Sequence, residues 1–361
     1  MNAASTAANG VRGRDPFSGR IPISIITGFL GSGKTTLLKK LLRHPGMANA
    51  AVIVNEFGEE AIDHELLETS SERMALLDNG CLCCTVRTDL QETLRDLLTK
   101  RLHGEVMQFD RVFVETTGLA DPAPVVQTFA SDSLLADKFR LDCVVTLVDA
   151  VNGLGQLDTL NEPIKQAAIA DRLLITKTDL APPESVAELR SRLGQINPQA
   201  QMIDVVQGDV DPAMLIDVGL NSRLATSEKL NRWIGPLADS ASEPGAALGK
   251  KPKASHTTGI TSFCLWFDKP LTWTAFETCM SVLTSLRGPD LLRVKGLLNV
   301  EGEDGPVVVQ GVQHIFHPPA RLQSWSDPDR RSRLVFITRG VEREMVENLF
   351  RAVGALGSTS S

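Results

Sequence analysis

A glycine-rich loop between an apolar run and a helical run constrains the fold of this chain more than any other feature. The pattern G-x-x-x-x-G-K-[ST] is matched by residues 28–35, Gly-Phe-Leu-Gly-Ser-Gly-Lys-Thr. The apolar run 21–27 before it predicts a buried strand, and the leucines of 34–43 after it have helical spacing. In this strand–loop–helix context, backbone N–H groups at the helix start converge on phosphate. A chance glycine-rich turn would lack that context, so we predict a nucleotide site.

The residues of this loop have distinct predicted roles. We expect Lys34 to reach the β- and γ-phosphates of a nucleotide, and Thr35 to ligate Mg²⁺. The glycines allow backbone N–H groups to approach the phosphate oxygens closely. Besides Lys34 and Thr35, the predicted nucleotide-binding residues of the loop are Gly28, Gly31, Ser32, Gly33 and Thr36.

A carboxylate at the end of a later apolar run is the next predicted part of the site. Residues 111–115 predict a strand that ends in Glu115, and Thr116-Thr117-Gly118 follow. We expect Glu115 to hold a Mg²⁺-bound water and Gly118 to approach the γ-phosphate. Together with the lysine and the first threonine of the loop, Glu115 completes the predicted catalytic set. No residue is assigned to position the attacking water.

The base of the nucleotide is predicted to be guanine. Residues 172–176 predict a strand that runs into Lys177-Thr178-Asp179. The carboxylate of Asp179 can accept hydrogen bonds from guanine N1–H and N2–H, which adenine lacks, and such paired contacts discriminate strongly. Lys177 and Asp179 are therefore predicted nucleotide-binding residues, with GTP favoured over ATP. Thr176 stands where an asparagine is usual in the N-K-x-D pattern, which predicts weaker bracing of the loop.

Three cysteines within four residues predict a metal site. Cys81, Cys83 and Cys84 lie between the glycine-rich loop and Glu115. Clustered thiolates prefer Zn²⁺ or Cu(I) to hard ions. In an extended strand, Cys81 and Cys83 would face one way and Cys84 the other. A single ion bound by all three therefore requires a loop, and Gly80 permits the turn.

The open fourth position of a three-thiolate site suits release or exchange of the metal. Glu59 and His64, both in the acidic segment 56–64, are the candidates for a fourth ligand. Simple exposure to solvent is the competing interpretation for these two residues. Packed thiols or a redox pair are the competing interpretations for the cysteine cluster.

The remaining cysteines and the composition indicate the compartment and exclude some partners. Cys143, Cys264 and Cys279 lie singly in apolar runs, which predicts packed thiols in a reducing compartment. The first 20 residues have no apolar stretch typical of a signal peptide, and no run approaches the roughly 20 apolar residues that span a bilayer. The net charge of -7 disfavours a general nucleic-acid or anionic-membrane binder. We expect a cytoplasmic protein.

Strands that alternate with helices predict an α/β fold for the first part of the chain, a P-loop GTPase domain with a mainly parallel sheet. Further strands are predicted there at 51–54 and 141–149. A smaller C-terminal α+β domain is predicted from strands at 262–267, 291–295, 297–300, 307–312 and 333–338 and helices at 273–286 and 342–353.

These patterns predict five segments along the chain. They are a disordered tail at 1–20, the GTPase domain with the cysteine motif at 21–225, a linker at 226–258, the C-terminal domain at 259–353 and a tail at 354–361.

Together these motifs resemble the CobW family of P-loop GTPases. Members of that family carry a phosphate-binding loop, a G-C-[LIV]-C-C motif, an E-x-x-G element and a K-x-D element in this order. The matching residues here are 28–36, 80–84, 115–118 and 177–179. Further similarity at 55–59, 118–122, 292–296 and 311–314 extends the resemblance over nearly the whole chain after residue 20.

The resemblance implies a GTP-hydrolysing metallochaperone that binds Zn²⁺ through the C-x-C-C motif and transfers it to a client metalloprotein, with GTP and Mg²⁺ as cofactors. The cysteines lie between the loop and Glu115, where γ-phosphate-sensing segments of such GTPases lie. We therefore hypothesise that GTP hydrolysis controls metal binding. Many relatives carry a His-rich linker, whereas this chain has only His256 there, which disfavours metal storage.

Three other functions remain open at this point. A chaperone that carries Co²⁺ for cobalamin or metalloenzyme maturation is the main alternative within the family. A metal-sensing regulatory GTPase would control a partner without transferring metal. A small-molecule kinase with an incidental structural zinc is a third alternative, against which the base-reading Asp179 argues.

His314 and His317 form an H-x-x-H pair outside these motifs. Positions i and i+3 of a strand face opposite ways, and Pro318-Pro319 disfavours a helix. The two side chains need not meet, so we favour a structural or partner-docking role over metal binding.

Overall fold

The N-terminal domain is built on one twisted sheet with helices on both faces. The computed structural model describes residues 19–47, 49–55, 74–76, 82–86, 90–216, 218, 233–234, 259–325 and 328–357. Within these ranges, the strands of the domain are β1 (Ile21–Gly28), β2 (Ala50–Asn55), β3 (Met74–Leu76), β4 (Leu82–Val86), β5 (Arg111–Thr116), β6 (Phe139–Asp149), β7 (Arg172–Thr176) and β8 (Gln201–Val205).

The strand order of this sheet is β3-β4-β2-β5-β1-β6-β7-β8. All neighbouring strands are parallel except β3, which runs antiparallel to β4. The helices that connect them are α1 (Lys34–Arg43), α2 (Leu90–His103), α3 (Ala123–Ser131), α4 (Ser133–Lys138), α5 (Gly153–Thr159), α6 (Asn161–Ile169) and α7 (Pro183–Ile196), with short 3-10 turns at Pro45–Met47 and Pro212–Met214.

The apolar runs of the sequence become strands that are buried on both faces. In β1, Ile23 and Ile25 join the core on one side of the sheet, whereas Ile26 joins the core on the other. This is the pattern of a parallel sheet that helices cover on both sides. The predicted α/β fold and its mainly parallel sheet are therefore confirmed, with each predicted strand of this domain present and lengthened by at most two residues at an end.

The parallel arrangement determines where the polar strand ends meet. Four neighbouring strands of the sheet, in the order β5-β1-β6-β7, are all parallel to one another. Their carboxyl ends at Gly28, Thr116, Asp149 and Thr176 therefore lie along one edge. Ligands of open α/β sheets bind in the crevice outside this edge.

The C-terminal domain is an antiparallel sheet with two helices packed on one face. Its strands follow the order β12-β11-β10-β14-β9, with β13 paired to β11. The bounds are β9 (Ile260–Phe267), β10 (Arg293–Leu298), β11 (Val307–Val312), β12 (Ile315–Phe316), β13 (Ala320–Arg321), β14 (Ser332–Arg339), α8 (Trp273–Arg287), α9 (Arg343–Gly357) and a 3-10 turn at Gly288–Asp290. The predicted α+β class is confirmed.

One detail of this second domain was predicted wrongly. The runs 291–295 and 297–300 were expected to be two strands, but β10 passes through Gly296 without a break. Gly296 pairs with Val309 on one side and Leu334 on the other. A Cβ atom at this position would collide with the Leu334 side chain. The glycine therefore serves close packing and does not interrupt the strand.

Part of the predicted linker packs against the C-terminal domain. Trp233 and Ile234, the described residues within 219–258, are buried in a small cluster with Leu297 and Val308. The Lys295 ammonium lies 5.2 Å from the centre of the Trp233 ring. The other residues of that range lie outside the described residues, as do residues 1–18 of the predicted tail at 1–20 and residues 358–361 of the predicted tail at 354–361. The segment bounds therefore stay predictions.

The two domains share a buried interface. Leu292, Val312 and Ile337 of the C-terminal domain belong to the same apolar core as the N-terminal sheet. Beside this apolar contact, Asp171 lies 2.7 Å from Arg293 and 2.5 Å from Lys295, and all three residues are buried. Among the described residues, no helix is long and apolar enough to cross a membrane.

Candidate nucleotide and metal site

The glycine-rich loop has the backbone conformation of a phosphate cradle. It leaves β1 at Gly28 and enters α1 at Lys34. Gly31 and Gly33 have φ angles of 73° and 95°, a region that disfavours other residues. A Cβ atom on Gly28 would lie 2.5 Å from the carbonyl oxygen of Leu147. The glycines are therefore required by backbone geometry and by contact with the neighbouring strand.

Lys34 is folded back onto the loop that carries it. Its Nζ donates hydrogen bonds to the carbonyl oxygens of Gly28, at 2.8 Å, and Phe29, at 3.2 Å. Burial lowers the pKa of Lys34, and the nearby carboxylate of Glu115 partly offsets this effect. Within the described part of the chain, the hydrogen bonds of this buried ammonium go to neutral carbonyl groups, which an anion can replace.

Thr35 and Glu115 lie side by side at the same edge of the sheet. The register pairs Glu115 of β5 with Ile26 of β1, which brings the carboxylate beside the start of α1. The hydroxyl of Thr35 donates to Glu115 Oε1 at 3.5 Å, and Glu115 is buried. The structure thus brings together all three predicted catalytic residues.

The K-x-D segment lies against the phosphate-binding loop. Thr176 Oγ1 donates a 2.8 Å hydrogen bond to the carbonyl oxygen of Ser32. The hydroxyl of Thr176 thus braces the phosphate-binding loop directly, and the expectation that this bracing is weaker than that of an asparagine stays a prediction. Lys177 has a left-handed backbone with φ of 57°, and its Nζ lies 2.8 Å from Asp149 Oδ2. Asp179 is exposed at the edge, where a base can reach it.

Asp149 is a residue of this site that sequence reasoning missed. Burial alone would raise its pKa, but hydrogen bonds from Lys177, Asn152 and the Val151 N–H hold the pKa below its usual value. Asp149 therefore anchors the lysine of the K-x-D segment as a carboxylate. The sequence did contain a signal for Asp149, because it ends a long apolar run. Glu115 was predicted from the same kind of position.

The segment that follows Glu115 packs on the glycine-rich loop. A Cβ atom on Gly118 would lie 2.7 Å from the backbone nitrogen of Leu30, so only glycine allows this approach. Gln166 of α6 donates hydrogen bonds to the carbonyl oxygens of Gly118 and Ala120. Gln166 was not singled out by sequence, because a glutamine inside a helix carries no local signal.

Two of the three cysteines of the motif lie on a strand instead of a loop. Cys83 and Cys84 belong to β4, paired in parallel with Val52 and Ile53 of β2. The expectation of a loop is therefore wrong for these two residues. Cys81 and the candidate ligands Glu59 and His64 lie outside the described residues.

The isolated cysteines are packed thiols, as predicted. Cys143 and Cys279 are buried, and Cys264 is half-buried. Burial raises the pKa of Cys143 well above its ordinary value, and raises the pKa of Cys264 and of Cys279 to about 11. Thiols with such pKa values remain protonated and poorly nucleophilic at neutral pH.

His314 and His317 line one cavity of about 480 Å³ between the two domains. Burial and the charge of Arg293 lower the pKa of His317 to about 4, so its ring is neutral at pH 7. Among the described residues, no group of three or more His, Cys, Asp or Glu side chains could hold a metal ion. The structural or partner-docking role favoured for the H-x-x-H pair stays a prediction.

Comparison with known proteins assigns both domains. The model of the CobW/HypB/UreG nucleotide-binding domain matches residues 22–204, and the model of the cobalamin synthesis protein cobW C-terminal domain matches residues 260–354. The chain belongs to the CobW family. The predicted resemblance is thus confirmed, and the edge described above belongs to the nucleotide-binding domain of a P-loop GTPase.

Similarity to individual members of the CobW family covers nearly the whole chain. The zinc chaperone YjiA of Escherichia coli is 33% identical, over 91% of this chain and 98% of YjiA. The zinc-regulated GTPase metalloprotein activator 1 of Saccharomyces cerevisiae is 30% identical, over 92% and 83% of the two chains. The crystal structure of Zn(II)-bound YjiA GTPase superimposes with a TM-score of 0.70, covering 92% of this chain and 99% of that one.

Proposed function

We propose that this CobW-family GTPase binds zinc through Cys81, Cys83 and Cys84 and delivers it to a client metalloprotein when GTP is hydrolysed. Because successive residues of a strand face opposite ways, binding of one ion by all three thiolates requires the segment of Cys83 and Cys84 to leave the strand conformation when the metal binds. Relatives that match almost the full length are named zinc chaperones or zinc-regulated GTPases. The sequence supplies both required parts, a thiolate cluster and a nucleotide loop. The proposal depends on the two being close enough to influence each other.

The register of the sheet is the observation that supports this coupling best. β4, which carries Cys83 and Cys84, is separated from β5 by β2 alone. Cys84 pairs with Ile53, Ile53 pairs with Val114, and the next residue along β5 is Glu115. Adjacent strands lie about 4.8 Å apart, so the backbone of Cys84 lies about 10 Å from β5. A change at Glu115 therefore needs to cross one intervening strand to reach the cysteine motif.

The residues beside Glu115 also fit the Mg²⁺ that accompanies GTP. Mg²⁺ takes six oxygen ligands at about 2.0–2.1 Å and retains several waters. The 3.5 Å between the Thr35 hydroxyl and Glu115 Oε1 suits one direct ligand and one carboxylate that holds a metal-bound water. When bound, the ion neutralises phosphate charge that develops during phosphoryl transfer.

The protein's own residues then act in sequence. Lys34 leaves the carbonyl groups of Gly28 and Phe29 to bind phosphate oxygens, and Asp179 accepts the guanine N–H groups. Loss of the γ-phosphate releases the segment around Gly118. Zinc held by thiolates is bound by about 10 kcal/mol or more, and each tenfold weakening requires about 1.4 kcal/mol of coupling. We expect the loss of one ligand to weaken zinc binding, and ligands offered by the client to replace it.

The coupling is tested by measuring zinc affinity in two nucleotide states. The full-length protein is titrated with Zn²⁺ against a chelating dye, once with GDP and once with a non-hydrolysable GTP analogue. We expect affinities that differ by at least about tenfold, and a reciprocal effect of zinc on nucleotide affinity. Equal zinc affinities in both states would remove the basis for GTP-driven release.

Cysteine variants separate the proposed chaperone from its alternatives. A Cys83→Ser protein should lose zinc transfer to an apo-client, whereas Cys264→Ser, at a half-buried thiol outside the motif, should retain it. Zinc binding without transfer in the wild type would indicate a regulatory GTPase. Recovery of cobalt instead of zinc with the purified protein would indicate the cobalt alternative.

A further inference from the structure

The turn between Gly118 and Asp121 connects the phosphate-binding loop to α6 and to the C-terminal domain. Gly118 is buried against the backbone of Leu30 in the loop. The Ala120 N–H donates to the Thr117 carbonyl oxygen at 3.2 Å, which closes the turn. A displacement of Gly118 therefore also displaces the residues that follow it in this turn.

Gln166 is the side chain that holds the middle of this turn. Its Nε2 donates to the carbonyl oxygens of Gly118 and Ala120, both at 3.1 Å. The side chain is 1% exposed, so water does not compete for these bonds. Because both neighbours are acceptors, the amide nitrogen must face the turn. One side-chain amide thus sets the direction of two peptide groups.

The far end of the turn is held by Asp121. Its Oδ1 accepts the Ala123 N–H at the start of α3, at 3.0 Å. Its Oδ2 lies 3.5 Å from Lys165 Nζ, and accepts a 3.2 Å hydrogen bond from Gln313 of the C-terminal domain. Two consecutive residues of α6, Lys165 and Gln166, therefore contact the two halves of the turn. The helix thus supports the whole turn.

We propose that Gln166 is a positioning residue for GTP hydrolysis. By fixing the carbonyl groups of Gly118 and Ala120 on α6, it keeps the backbone of Gly118 against the loop where a γ-phosphate arrives. GDP has no γ-phosphate, so Gln166 contributes to GTP binding and turnover without contributing to GDP binding. The inference rests on the proposed contact of Gly118 with the γ-phosphate.

The test compares Gln166→Met with the wild-type full-length protein. Methionine retains the length of the side chain and removes both donors. We expect kcat for GTP hydrolysis to fall about tenfold and the Kd of a non-hydrolysable GTP analogue to rise about tenfold, since each lost hydrogen bond contributes a modest share. The Kd of GDP should stay unchanged.

Thr146→Val is the matched control. Thr146 is buried, and its hydroxyl donates to the backbone carbonyl of Gln166 at 2.7 Å without touching the turn. This variant removes a buried hydrogen bond to the same helix but leaves the Gln166 side chain in place. It therefore measures the effect of a less firmly packed α6 on nucleotide affinity. It should keep the wild-type ratio of GTP-analogue to GDP affinity.

A second variant guards against misfolding of the first. In Gln166→Glu only the protonated carboxyl group can donate to the turn, so its activity relative to wild type should increase as pH falls. An unchanged affinity ratio in Gln166→Met, or equal losses for GDP and the GTP analogue, would overturn the assignment of Gln166. A wild-type protein that binds GDP and the analogue with equal affinity would instead overturn the proposed γ-phosphate contact of Gly118.

Discussion

The nucleotide edge and the domain interface each contain buried charges, but they satisfy them differently. At the interface, Asp171 is paired with Arg293 and Lys295 and also accepts the Val144 N–H. At the nucleotide edge, Lys34 is held by two backbone carbonyls of its own loop. The interface charges have permanent partners of opposite sign, whereas the principal cation of the nucleotide edge has neutral, replaceable ones.

Burial and opposite charges act on the pKa values of both regions. Burial lowers the pKa of Lys295 at the interface, as it lowers that of Lys34 at the nucleotide edge, and a nearby carboxylate acts against it in each case. Burial alone would raise the pKa of Asp171, but the charges of Arg293 and Lys295 hold it well below its usual range. Burial lowers the pKa of Lys34, and the carboxylate of Glu115 offsets this only in part. Arg293 and Lys295 share direct ion pairs with the Asp171 carboxylate, whereas the hydrogen bonds of Lys34 go to neutral carbonyl groups that an anion can replace.

The largest expected effect is at the interface. Asp171→Asn leaves Arg293 and Lys295 buried without a counter-charge, and loss of one partner from such a cluster costs about 3–5 kcal/mol. Urea denaturation of the full chain measures this loss. Asp209→Asn, at the exposed pair with Lys40, is the control and should leave the midpoint unchanged. A midpoint for Asp171→Asn equal to that of the control would contradict the comparison.

The second prediction concerns pH and His317, which lies beside the same interface charges. Its pKa of about 4 in the folded protein is below the ordinary value of 6.5, owing to burial and Arg293, with Asp171 acting in the opposite direction. The unfolded chain therefore takes up a proton first as pH falls, so the folded state loses stability between pH 6.5 and about 4. The difference between the two pKa values corresponds to roughly 3 kcal/mol of unfolding free energy, which is lost as pH falls through this range.

The variant His317→Gln isolates this contribution. Stability measured at several pH values should fall more steeply for the wild type than for the variant between pH 6.5 and 4. Parallel curves would show that His317 titrates alike in the folded and unfolded chains.

The third prediction moves to the nucleotide edge. Lys34→Met should reduce GTP hydrolysis by at least about 100-fold, because it removes the cation expected at the transferred phosphate. The same variant should be as stable as the wild type or slightly more stable, because a buried ammonium without an ion pair is replaced by an apolar group. A large loss of stability in urea would show that Lys34 is paired as firmly as the interface charges.

The smallest expected effect concerns the hydroxyl of Thr176. Thr176→Val removes the 2.8 Å hydrogen bond to the Ser32 carbonyl oxygen and preserves the shape of the side chain. We expect the affinities for GDP and for a GTP analogue to fall together by about tenfold, because the whole loop is less well ordered. Nucleotide titration measures this. A selective loss of GTP-analogue affinity would contradict a role in bracing the loop.

Local patterns predicted five strands of the N-terminal sheet to within two residues at each end, whereas β3, β4 and β8 were not predicted. The limits of β7 and β11 match the predicted runs, because a continuous apolar run flanked by polar residues marks a buried strand on both sides. Lys34, Thr35 and Glu115 were predicted as a group, and the structure places them together because parallel strands end at one edge.

The wrong expectations share a physical cause. The cysteine segment was assigned to a loop by assuming that all three thiolates bind one ion, yet pairing with β2 makes a strand of Cys83 and Cys84. The runs 291–295 and 297–300 were predicted as two strands, yet Gly296 remains inside one strand, where a neighbouring side chain fills the space above it. Each error concerns a contact between segments far apart in the chain.

The sequence by itself determined the family and the α/β class, and it predicted the residues for phosphate, Mg²⁺, guanine and a soft metal ion. These features depend on local order along the chain. The tertiary structure alone decided that Gln166 supports the Gly118 turn, that Asp149 holds Lys177, and that Asp171 joins the domains. A hydrogen bond or an ion pair between distant segments exists only once the fold has brought them together, and no local pattern records it.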